Sequence, residues 1–188
     1  AGQITSIRES YKVKEGYSEL ESKGITGVSG YVTITKVWEA NVGSWKETDK
    51  ATSMIYSYKK EEGGKLKNVV DRYEGNVLDT RQVSYYEEQG EETDKRTVLV
   101  QENWVAGDIL EGFSYTYWDK VTDSVYGDGK TGKVVKVTEN YLNLDGNKTI
   151  DKEDKKYMES RYYAYYIKEE DKVGKLILER WEGKRGNL

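Results

Sequence analysis

Apolar and polar residues alternate along most of this chain. From Val32 to Val42, one face carries Val32, Ile34, Trp38, Ala40 and Val42, and the other carries Thr33, Thr35, Glu39 and Asn41. Strict period two is the mark of a half-buried strand. The same pattern recurs over Ser53–Lys60, Leu66–Tyr73, Thr80–Glu87, Thr97–Trp104, Gly112–Trp118, Lys133–Leu142, Tyr157–Lys168 and Leu176–Trp181, with Ile4–Val13 as a first strand. None of these runs follows a 3.6-residue period. Asp151–Glu159 is expected to form at most a helical turn, with Asp151 as its cap. Glycine turns separate the runs, among them Gly63-Gly64, Gly75-Asn76 and Asp145-Gly146-Asn147. Strands this many, on links this short, predict an all-β fold. The expected architecture is an antiparallel β-sandwich (jelly-roll-like) or a meander barrel of about nine to ten strands. Residues 1–188 read as one domain, with residues 1–14 a pairing strand or N-terminal arm.

The chain also echoes itself. Ile55 to Glu62, Gly64-Lys65-Leu66 and Asp71-Arg72-Tyr73-Glu74-Gly75 resemble Tyr165 to Glu170, Gly174-Lys175-Leu176 and Glu179-Arg180-Trp181-Glu182-Gly183. A weaker echo pairs Gly30-Tyr31-Val32-Thr33 with Gly112-Phe113-Ser114-Tyr115. The offsets differ, which places an insertion in the second half, around Thr138–Lys156. A duplicated half-sandwich accounts for this, and so does the general likeness of Tyr/Lys/Glu-rich hairpins.

Composition narrows the chemistry. The chain has 188 residues with His 0, Pro 0 and Cys 0. Without cysteine there is no disulfide, thiolate nucleophile or zinc-thiolate site. Without histidine the commonest general base and every Ser-His-Asp arrangement are gone. The expectation is therefore a protein that is not an enzyme. The 30 basic and 34 acidic residues are interspersed, unlike the clustered basic surface that nucleic acid requires. No apolar run approaches the roughly 20 residues of a transmembrane helix, so no membrane span is expected. The start at Ala1-Gly2-Gln3 fits a signal peptide already removed, and fits Met removal equally; the expected location is extracellular or at the cell surface. Abundant Lys and Glu resemble thermophile composition. Tyr numbers 17 against Phe 1, a bias suited to sheet faces that meet water, a partner or a sugar.

Several residues are candidates for binding. Asn143, Asp145, Asn147, Thr149, Asp151 and Glu153 place oxygen ligands at alternating positions beside Gly146, and Asp128 sits in a second acidic loop. Asp145, Asn147, Thr149, Asp151, Glu153 and Asp128 are thus the expected calcium ligands. The stretch departs from an EF-hand: counted from Asp145, Ile150 stands at the required glycine and Lys156 at the required glutamate. Gly127 to Lys133 lacks phosphate-loop spacing. Trp45, after Gly43, is the expected exposed platform for a carbohydrate or other small ligand. Tyr162-Tyr163-Ala164-Tyr165-Tyr166 makes a strand aromatic on both faces. Tyr163 and Tyr165, with Ile4, Ile7, Tyr11 and Val13 of the first strand, are the expected interface residues. With no proline to blunt a sheet edge, these features point to a subunit of an extracellular filament, tube or surface assembly. Copies of the chain would pair by β-strands, stabilised by calcium. The alternative is a carbohydrate- or small-ligand-binding β-sandwich module.

Overall fold

The computed structural model describes residues 6–39, 50–93, 95–106, 108–120, 134–143, 158–167 and 175–182. Ten strands appear where the alternation predicts them: β1 (Ser6–Lys14), β2 (Tyr31–Glu39), β3 (Ser53–Glu62), β4 (Lys65–Glu74), β5 (Val77–Gln89), β6 (Arg96–Val105), β7 (Ile109–Lys120), β8 (Val134–Leu142), β9 (Met158–Ile167) and β10 (Lys175–Glu182). They lie in sequence order in one sheet, with β1 to β5 paired antiparallel in succession and β7 to β10 likewise. The fold is all-β and antiparallel, as expected, and its strands form a single meander sheet that is not closed into a barrel. Alternation dictates which residues share a face. Closure depends on twist and stagger, which the alternation does not encode.

Among the described residues, one helix, α1 (Ser18–Ser22), departs from the strand pattern. Its five residues are too few to display a helical period. Gly24 closes it at φ +66°, a left-handed conformation that glycine adopts without a Cβ penalty. Leu20 and Ile25 are buried and anchor this segment. The helical turn expected at Asp151–Glu159 lies outside the described residues, except for its last two, which begin β9.

The chain divides into two compact units: residues 1–85 with 103–109, and residues 86–102 with 110–188. In the first, the inner face is built from rows of cross-strand neighbours. Tyr11, Ile34, Tyr56, Asp71 and Arg81 form one row across β1 to β5. Glu9, Lys36, Met54 and Tyr73 form the next. Val32, Ile34, Tyr56 and Val69 are buried. Each such aliphatic side chain contributes about 1.5–3 kcal/mol by leaving water.

The second unit repeats this plan. Met54-Ile55-Tyr56-Ser57-Tyr58 of β3 is matched by Phe113-Ser114-Tyr115-Thr116-Tyr117 of β7. Val69-Val70-Asp71-Arg72-Tyr73 of β4 is matched by Val137-Thr138-Glu139-Asn140-Tyr141 of β8, and Asp79-Thr80-Arg81 of β5 by Glu159-Ser160-Arg161 of β9. The register agrees: Tyr56 faces Asp71, which faces Arg81; Tyr115 faces Glu139, which faces Arg161. Even the bulges correspond. Pairing shifts between Arg72 and Tyr73 and again between Asn140 and Tyr141, leaving Asp79 and Glu159 as the extra residues. β2 and β6 match as well, with Val32, Ile34, Lys36 and Trp38 against Val98, Val100, Glu102 and Trp104. Gly112 takes the place of Ser53. A Cβ there would lie 2.6 Å from the Tyr141 carbonyl oxygen, so this position requires glycine. The duplication thus runs β2–β5 onto β6–β9, a different frame from the echo of hairpins in the sequence. The longer links of the second copy fall at 121–133 and 143–157, the latter near the expected insertion.

Candidate binding site

The first unit holds a cavity of about 640 Å³, within the size range of small-molecule sites. Its floor is the row Glu9, Lys36 and Met54, flanked by Trp38 and Tyr56. One wall is α1, through Glu19, Ser22 and Lys23. Lys50 and Ala51, ahead of β3, and the Gly75-Asn76 turn between β4 and β5 complete it.

Tyrosine hydroxyls fix α1 over the sheet. Tyr56 donates to Glu19 Oε1 at 2.7 Å, Tyr11 makes a longer contact of 3.5 Å with Oε2, and Tyr73 donates to the Lys23 carbonyl at 3.4 Å. Burial, then the Glu19 carboxylate, raises the Tyr56 hydroxyl far above its ordinary pKa, so it serves as a donor. Lys36 lies 5.1 Å from the Tyr11 ring centroid, and its hydrogen bond with Tyr11 raises its pKa. Lys23 donates to Asn76 Oδ1 at 3.0 Å and sits 4.7 Å above the Tyr73 ring.

The other ionisable groups of the inner face are committed to structure. Asp71 is fully buried and accepts from Arg81 Nε and Nη2 at 2.6 and 2.9 Å, and from the Tyr58 hydroxyl at 2.9 Å. The bond with Asp71 raises the Arg81 pKa. Glu139 accepts from Arg161 Nε at 2.9 Å and Nη2 at 2.7 Å, and from the Tyr141 hydroxyl at 2.8 Å.

The residues singled out in the sequence fare unequally. Asp145, Asn147, Thr149, Asp151, Glu153, Asp128, Trp45 and Ile4 lie outside the described residues. Among the described residues, no three acidic side chains converge to hold a metal. Ile7, Tyr11 and Val13 fall in β1, where they face Trp38, Ile34 and Val32 of β2 in the same chain. Tyr11 belongs to the cavity's supporting cluster. Tyr163 is 1% exposed and is part of the unit's own interior. Alternation cannot say which of two aromatic faces is buried. Tyr165 lies on β9, opposite Ile177 of β10. Sequence reasoning missed the cavity residues Lys23, Lys36 and Met54. The signal lay in the duplication, because Lys36 and Met54 stand where the second copy has Glu102 and Phe113. Among the described residues, no helix is long and apolar enough to cross a membrane. Comparison with protein-family models, with curated proteins and with solved structures finds no match.

Proposed function

We propose that this chain is a non-catalytic structural subunit whose sheet is extended by strand pairing with further copies of itself. The strand order carries this reading: ten strands in one unclosed sheet leave β1 and β10 with a single neighbour each. An edge strand offers a row of backbone donors and acceptors to another chain. The chain lacks proline, so every residue of both edges keeps its N–H.

Both edges are charged, β1 through Arg8, Glu9, Lys12 and Lys14 and β10 through Lys175, Glu179, Arg180 and Glu182, so residue spacing, and not charge, separates them. β10 repeats the spacing of β2 and β6 in Ile177, Glu179 and Trp181. β2 and β6 each have a neighbouring strand on both sides, and β10 has one on a single side. β10 is therefore the proposed joint, with a strand of a second molecule on its open side. Pairing with β1 of that molecule continues the meander into a filament, and pairing with its β10 closes a two-fold dimer. A non-catalytic role agrees with the commitment of Asp71 and Glu139 to arginine and tyrosine partners.

Sedimentation velocity over a wide concentration range tests the proposal, with and without calcium. Mass is expected to rise above that of a single chain, and calcium to add to it if the acidic loops bridge copies. Adjacent N–H groups of a strand point to opposite edges. Of Ile177→Pro and Leu178→Pro, the one whose N–H faces outward should abolish assembly with the circular dichroism unchanged. A monodisperse single chain at millimolar concentration would sink the idea.

A further inference from the structure

Independently of assembly, the cavity of the first unit carries a chemical preference. Three ammonium groups reach it from three separate segments: Lys23 from the end of α1, Lys36 from β2 and Lys50 ahead of β3. Two carboxylates share it, Glu9 and Glu19. Glu19 already accepts from two tyrosines. Glu9 stands directly across the β1–β2 ladder from Lys36. Lys23 is different: its partners among the described residues are the Asn76 amide oxygen and the Tyr73 ring, both uncharged. An ammonium held on a cavity wall by neutral partners keeps its attraction for an anion. Around it, Ser22, Asn76 and the carboxylates present oxygens that can accept from hydroxyl groups.

The second copy is built differently at the same positions. Its counterpart of Met54 is Phe113, which is buried and stacked on Tyr141 at 4.9 Å between centroids. Its counterpart of Lys36 is Glu102. Where the second copy has an aromatic plug and an acid, the first has a slimmer methionine and a base. Both differences fall on one row of one sheet face.

We propose that the cavity binds a small polyhydroxylated carboxylic acid, of the kind represented by a uronic acid, with its carboxylate on Lys23 and Lys50 and its hydroxyls on the remaining oxygens. Glu19 is engaged by Tyr56 and Tyr11, and the three lysines outnumber the two carboxylates of the cavity, which favours a hydroxy acid over an amino acid that brings its own ammonium.

Isothermal titration of the intact protein at low salt and at 0.5 M salt tests this, with glucuronate, its neutral counterpart glucose, and alanine as probes. Glucuronate should bind at least about tenfold more tightly than glucose, the increment of one hydrogen bond to a charged group, and salt should weaken it. Lys23→Gln and the exposed Lys50→Gln should each lower glucuronate affinity several-fold and leave glucose unchanged. Equal binding of glucuronate and glucose would overturn the anionic preference while leaving the cavity a ligand site. Tighter binding of alanine would overturn the hydroxy-acid class. No binding of any probe would overturn the site itself, and none of these outcomes bears on assembly through β10.

Discussion

Asp71 and Glu139 occupy one register position in two copies of the same strand, yet their surroundings satisfy them differently. Both face an arginine on the next strand. Asp71, with the shorter side chain, is wholly buried and takes its hydroxyl from Tyr58 on β3. Glu139 reaches one methylene further, keeps 7% of its surface, and adds a hydroxyl from Tyr141 on its own strand to its interaction with Tyr117, the counterpart of Tyr58. Tyr73, the counterpart of Tyr141, is thereby released from the acid and turns to the backbone of α1. The edge-to-face tyrosine pair survives in both copies, Tyr56 with Tyr73 at 5.4 Å and Tyr115 with Tyr141 at 5.8 Å. The scaffold is thus the constant part. The position next to it, methionine under a helix or phenylalanine in a closed stack, is where one copy has a cavity and the other has core.

The largest expected effect comes from alkaline pH, because it acts on both copies at once. Burial first, and the neighbouring acids second, raise the hydroxyls of Tyr56, Tyr58, Tyr117 and Tyr141; Tyr73 is raised in the same way. An unfolded tyrosine loses its proton near pH 10. Above that pH the folded chain holds protons that the unfolded chain has released, so stability, complete below about pH 10, falls as pH rises. The loss is about 1.4 kcal/mol per pH unit for each such tyrosine. Tyrosinate absorbance at 295 nm should therefore rise together with loss of the circular dichroism of the sheet. Ionisation of these tyrosines in an intact sheet would refute the shared burial of the two clusters.

Truncating the acids separates the copies. Asp71→Ala leaves Arg81 and Tyr58 without their buried acceptor and is expected to cost about 3–5 kcal/mol, as when a buried pair loses one member. Arg81 and Arg161 are similarly near water, at 30% and 27% exposure, so the difference lies in the acids: water reaches the truncated site more readily at Glu139, and Glu139→Ala should cost about 1–3 kcal/mol. Urea unfolding of the two variants provides the measurement. A larger loss at Glu139 would reverse the ranking of the clusters.

Much of this was legible in the alternation. All ten strands fall where period two places them, since every strand has one face to hide and glycine marks the turns. The sheet's failure to close was not legible, nor was α1, whose anchoring by Leu20 is a tertiary fact. The duplication was readable in principle: alternate tyrosines, then Val-x-acid-x-Tyr, then an acid, a hydroxyl residue and arginine recur in order. Hairpin likeness favours β3–β4 against β9–β10 instead, because the Gly-Lys-Leu turn is locally distinctive while the true correspondence is spread over three strands with unequal links. The cavity residues stand out only as exceptions to that repeat, once the repeat is aligned in space.

The smallest effect on stability is also the sharpest test of the comparison. Met54→Phe gives the first copy the residue that fills the second. Phe113 fits because it stacks at 9° to the Tyr141 ring and meets Tyr115 edge-on at 5.4 Å. Tyr56 and Tyr73 already stand at the equivalent places, so a phenylalanine at 54 finds the same two rings. Its extra volume enters the existing cavity. Tyr56 gives up the weak hydrogen bond to the Met54 sulfur at 3.7 Å and keeps its strong one to Glu19. Filling a void in this way changes stability by no more than about 1 kcal/mol and is expected to be favourable. The same substitution should remove glucuronate and glucose binding together, because it takes the space and not the charge. Unchanged midpoints in urea with binding abolished would establish that the two copies share one core plan and that the first keeps its cavity at little expense. A loss of several kcal/mol would mean that Tyr73, held by the Lys23 carbonyl, cannot present its ring as Tyr141 does, and that α1 has altered the plan as well as covered it.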